Sequence, residues 1–98
     1  MFVAISSFEI ENGLESEVKL AFNNRPKLVE DHNGFISLEV LSPTLKPAEI
    51  WLLTRWTDEQ SFISWHKNHL KESHDHIPKG LKLVPHSFKL RYFNHIAS

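Results

Sequence analysis

Apolar residues alternate with small or polar ones from Phe2 to Ile10, the period of an extended strand with side chains on two faces. Phe2, Ala4, Ser6, Phe8 and Ile10 share one face, and Val3, Ile5, Ser7 and Glu9 the other. After Asn12-Gly13 the period lengthens. Leu14, Val18, Ala21 and Phe22 recur at helical spacing. They predict a helix with Asn12 as its N-cap and with Glu15 and Glu17 in the first turn, where the helix dipole favours acids. Pro26 cannot sit in a helix interior, so this helix either stops or kinks near Arg25, or Pro26 opens a short second turn through Leu28 and Val29 that closes at Asn33-Gly34. Phe35–Leu41 and Ile50–Trp56 read as strands, joined by a loop that holds Ser42-Pro43 and Lys46-Pro47. Helical spacing returns from Trp56 to about Glu72, with Thr57 or Asp58 at the start. Phe88–Phe93 alternates once more as a last strand.

The order β-α-β-β-α-β is the ferredoxin-like arrangement, an α+β fold on an antiparallel sheet. Two helices cover one face of such a sheet, and the other face of a monomer ought to be polar. The strands here are apolar on both faces. Val3 and Ile5 oppose Phe2 and Phe8; Phe35 and Leu41 oppose Ile36, Leu38 and Val40; Trp51 and Leu53 oppose Ile50, Leu52 and Trp56. A second copy of the chain is the economical cover, which predicts a homodimer packed sheet to sheet.

Composition narrows the picture further. Residues 1–98 amount to one small domain, 41% hydrophobic and 23% charged, with a net charge of -1. With no lysine/arginine stripe, no nucleic-acid partner is expected. The absence of cysteine excludes disulfides, thiolate metal sites and a cysteine nucleophile. MFVAISSFEI has no basic leader, and no apolar run reaches the roughly 18 residues of a membrane span. A cytoplasmic protein without membrane partners is the expectation.

Candidate chemistry concentrates in WTDEQSFISWHKNHLKESHDHIP, residues 56–78, which holds four of the seven histidines. Phe62, Trp65, His66 and His69 fall on roughly one helix face, where Phe62 and Trp65 read as core against the sheet. His66 and His69 stand one turn apart. Zinc would need a third or fourth ligand from His74 or His76, and there is no HExxH pattern. His74-Asp75-His76 lies where the helix frays toward Pro78, so an imidazole there either caps the helix end or turns inward as ligand or base. The chain has no GxSxG elbow, no glycine-rich phosphate loop and no acidic pair at a catalytic spacing.

MFVAISSFEIENG, GFISLEVLSP and WLLTRWTDEQSFISWHKNHLKESHDH together resemble the antibiotic biosynthesis monooxygenase family, nearest its small haem-degrading members. The likeness runs from Phe2 to about Tyr92 and rests on a Gly-Phe, strand, Trp, Phe-x-x-Trp, His progression. It implies a ferredoxin-like dimer whose sheets meet as an α+β barrel. In the haem-degrading branch a histidine beyond the second helix ligates the iron, and this matches His74, with Trp65 and Phe62 bounding the ring and Phe8 beside it. The branch's distal asparagine falls on Ser6, which has a hydroxyl but no amide. The resemblance therefore implies a haem-binding, haem-degrading monooxygenase that uses O2 and an external reductant, with haem as cofactor and porphyrin as ligand. Two alternatives stand beside it. One is a cofactor-free monooxygenase of quinols or polycyclic phenols, with His69 or His74 as base. The other is a non-catalytic dimeric module for a small aromatic ligand.

Overall fold

The computed structural model describes residues 1–23, 29–69 and 80–98, the side chains of residues 68 and 69 excepted. Four strands, β1 (Phe2–Glu9), β2 (Phe35–Leu41), β3 (Glu49–Trp56) and β4 (Lys89–Asn94), form one antiparallel sheet in the order β2-β3-β1-β4. Helix α1 (Glu15–Asn23) follows β1, and helix α2 (Glu59–His69) follows β3; a 3-10 turn at Val29–Asp31 leads into β2. This is the predicted ferredoxin-like order. The role expected of Pro26 falls outside the described residues.

The register assigns the faces. Phe2, Ala4, Ser6 and Phe8 pair with Trp56, Thr54, Leu52 and Ile50, so all eight point to the helix-covered side. Trp56 closes β3 and is 0% exposed, the largest fully buried side chain among the described residues, rather than the first residue of the helix. The helix opens one turn later. The Asp58 carboxylate accepts the Ser61 amide at 2.8 Å, and this bond, together with the Ser61 hydroxyl, holds its pKa below the usual carboxylate value.

Two expectations are corrected. Phe35 lies on the helix side, not opposite Leu38 and Val40. A bulge between Phe35 and Ser37 admits Ile36 as an extra residue, so Phe35 stays opposite Trp56 while Ile36 is pushed outward to 47% exposure. Asn12 is a clamp and not a cap. Its amide donates to the Gly80 carbonyl at 2.6 Å, and its side-chain oxygen accepts the Lys82 amide at 3.2 Å. These bonds fasten the returning chain beside the end of β1, where Ile10 bridges Leu83 and Val84 donates to the Glu9 carbonyl at 2.9 Å.

Gly34 fixes how β2 enters next to α2. Its φ is +86°, and its carbonyl accepts the Thr57 amide at 2.9 Å. A Cβ there would lie 2.5 Å from the Cβ of Ser61, so only glycine permits this approach.

The far side of the sheet is mixed. Val3, Ile5, Leu41, Trp51, Leu53 and Phe93 share it with Ser7, Ser37, Glu9, Glu49, Lys89 and an ion pair, Arg55 to Glu39 at 2.7 Å, and with Arg91 lying 5.0 Å over the Phe93 ring. No helix among the described residues is long and apolar enough to cross a membrane.

Candidate functional site

The core under the helices comes in two pieces. One cluster, at the α2 end, gathers Phe2, Ala4, Val29, Trp56 and Phe62, with Ile63, Trp65 and Leu90 packed against it. The other, at the α1 end, gathers Ile10, Val18 and Ile50, with Phe8, Leu14, Phe22 and Val40 around it. Between their centres the register places a row of helix-side residues across all four strands: Leu90, Ser6, Leu52 and Val40. Each of these is only half-buried, although Ser6 and Leu52 sit at the middle of the two central strands. Mid-strand positions under two helices are ordinarily the driest in such a fold. Their partial exposure marks a seam between the helices, with Ser6 and Leu52 as its floor.

The α2 side of the seam is aromatic. Trp65 lies 5.5 Å from Trp56 and 6.1 Å from Phe62; Phe62 stands edge-on to Trp56 at 5.8 Å. His66 is half-buried and stacks on Phe62 at 5.4 Å. Trp56 brings a polar anomaly into this wall, because its indole N–H is buried and has no hydrogen-bond acceptor among the described residues. It sits among the rings of His32, Phe35, Phe62 and Trp65.

Phe62 and Trp65 pack in the α2 cluster, Ser6 lies in the adjoining sheet row between Leu90 and Leu52, and Phe8 lies in the α1 cluster. His74 and His76, and the side chain of His69, lie outside the described residues. Among the described residues no group of three or more histidines and carboxylates stands ready for a metal ion. Two features escaped the sequence reading. Leu52 carries no chemical signal of its own. At Val40, beside the row, an open cavity of about 480 Å³ lies between α1 and the edge strand β2, lined by Lys19, Phe22, Asn23, Leu38, Val40, Leu41, Ser42 and Ile50.

An open antiparallel sheet in the order β2-β3-β1-β4 with two helices on one side defines a ferredoxin-like fold. The family model of the antibiotic biosynthesis monooxygenases matches residues 1–76, and the chain belongs to that family. A mycobilin-producing haem oxygenase of Mycobacterium tuberculosis is 27% identical over 63 residues, covering 64% of this chain. The match spans 60% of that relative's length. Among solved structures, the haem degrader MhuD of Mycobacterium tuberculosis, with two haems bound in its active site, superposes with a TM-score of 0.81 at 20% identity, covering 100% of this chain and 98% of that one. A Deinococcus radiodurans structure described under the antibiotic biosynthesis monooxygenases gives 0.76 at 9% identity, covering 100% and 95%. These two likenesses establish the fold.

Proposed function

We propose that the chain is a haem-binding monooxygenase that works as a homodimer and degrades haem with O2 and an external reductant. The observation that supports this reading is the half-buried Ser6–Leu52 row, which adjoins the Trp65–Phe62 aromatic cluster through Leu90. A flat, mainly apolar ring fits it: the floor is one hydroxyl beside leucines and a valine, the wall is indole and phenyl, and no carboxylate stands in the row.

When bound, haem supplies the redox-active iron at which O2 is reduced, and its own macrocycle is the carbon that is oxidised. The chain does the rest. His74 would hold the iron through a neutral imidazole. Trp65 and Phe62 bound the ring on the α2 side, and Phe8 bounds it on the α1 side. The apolar residues keep bulk water from the floor. Ser6 offers one O–H donor, shorter in reach than an amide and able to rotate.

The open face of the sheet supports the dimer. Val3, Ile5, Trp51 and Leu53 make a patch that a second copy would cover, joining two sheets into one barrel-like body. One observation favours a second chemistry, cofactor-free oxidation of a dihydroxynaphthalene-type phenol. His66, half-buried against Phe62, is a base already placed at the aromatic wall.

Titration with haemin, followed by its Soret band, tests the main reading. A stoichiometric shift that His74→Ala abolishes is expected. No shift would overturn haem binding, an equal shift in His74→Ala would overturn the ligand assignment, and O2 uptake on dihydroxynaphthalene without haemin would favour the second chemistry.

A further inference from the structure

We infer that Lys19, with Asn23 beside it, holds the acid group of an elongated amphipathic ligand whose apolar body lies along the seam. This rests on the reading of the seam as a ligand site. It adds where the ligand's charge goes, and hence that the ligand is an organic acid.

The cavity at Val40 is of the size that small-molecule sites have, roughly 300–1,000 Å³, and its lining is sharply divided. Phe22, Leu38, Val40, Leu41 and Ile50 are apolar. Lys19, Asn23 and Ser42 are polar, and of the described lining residues Lys19 alone carries charge. Lys19, Phe22 and Asn23 stand three and four residues apart on α1, so one helix face presents an ammonium, a ring and an amide to the same space.

The donors can be counted. The Ser42 hydroxyl gives its proton to the Pro47 carbonyl at 3.1 Å, so toward the cavity it can only accept. The Asn23 amide is a donor, and the Lys19 ammonium supplies up to three more. The ion pairs among the described residues involve Lys46 and Arg55; Lys19 has no carboxylate partner. The last carbonyls of α1 leave a partial negative charge nearby, so the helix end does not itself draw an anion there. Among the described lining residues, attraction comes from Lys19.

Distance sets the shape of the ligand. Val40 is opposite Leu52, and Leu52 is opposite Ser6, so the cavity and the floor are two strand spacings apart, about 10 Å. A molecule with an apolar body of about that length and an acid at one end would touch Ser6 and Lys19 at once.

Two fluorescent dyes of nearly the same body test this. Anilinonaphthalene sulfonate is an anion, and N-phenyl-1-naphthylamine is its uncharged counterpart. The full chain should prefer the anion. Lys19→Met should weaken the anion about five- to tenfold, the scale of one charge-assisted contact at an exposed rim, and change the neutral dye less than about twofold. Lys89→Met, on the other face of the sheet, should change neither. An unchanged dye ratio in Lys19→Met, an equal loss in Lys89→Met, or no dye binding to the parent chain would overturn the inference. A haemin titration of the same proteins keeps the two readings apart: absence of a Soret shift counts against haem, while the dye ratio alone decides the role of Lys19.

Discussion

Replacing Gly34 by alanine should loosen the joint between β2 and α2, and the structure allows the loss to be worked out. The residue sits at φ +86°, where an L side chain costs about 1 kcal/mol. The new methyl would stand 2.2 Å from Ser61 Oγ, 2.5 Å from Ser61 Cβ and 2.9 Å from Thr57 Oγ1. The hydroxyl can rotate away, but the Ser61 Cβ is rooted in the helix backbone, so α2 or the turn must move. Overpacking of that kind costs about 1–3 kcal/mol. The total, about 2–4 kcal/mol, is a large share of the roughly 5–15 kcal/mol that holds a small domain together. Urea unfolding followed by tryptophan fluorescence would measure it, since Trp56 and Trp65 lie next to the joint. Combining Gly34→Ala with Ser61→Gly removes both the Oγ and the Cβ, and should return about 1 kcal/mol or more as coupling. A Gly34→Ala variant within about 0.5 kcal/mol of the parent chain, or a double variant whose loss equals the sum of the single losses, would refute the reasoning.

The remaining expectations concern the open face and the start of α2. Leu53→Arg places a charge at the centre of the apolar sheet face; sedimentation should show a dimeric parent chain and a monomeric variant, and a variant that sediments unchanged would count against that interface. Asp58 has a folded-state pKa below the 3.8 of an ordinary aspartate, so its stabilisation is fully present above that value and is lost as pH falls through the folded pKa. The difference in urea midpoint between the parent chain and Asp58→Asn should therefore shrink between about pH 5 and pH 2; a constant difference would remove Asp58 as the titrating cap.

Strand and helix periods made most of the architecture legible, because each segment's apolar positions have to meet a single core. Boundaries and faces were less so. In Phe35-Ile36-Ser37 two apolar residues stand side by side, and nothing in their chemistry says which one the bulge expels. Asn12 is equally suited to cap a helix or to bind a passing backbone, and only the position of Gly80 decides. Phe62 and Trp65 could be read from their three-residue spacing, and Ser6 only through the family resemblance. The seam itself was invisible, since periodicity reports which face of a helix is apolar but not how far apart two helices lie on a sheet. Lys19 and Asn23 looked like any solvated positions on α1 until the edge of β2 was placed opposite them.

The Leu90–Ser6–Leu52–Val40 row also bears on the timing of a catalytic cycle. The core comes in two clusters, one under each helix. A molecule lying along the row would act as a keystone, and would raise stability by RT ln(1 + [L]/Kd) for as long as it stays. If that molecule is also the substrate, each turnover dissolves the keystone. The cleft would slacken once its contents had been consumed, and the product's exit would need no separate gate.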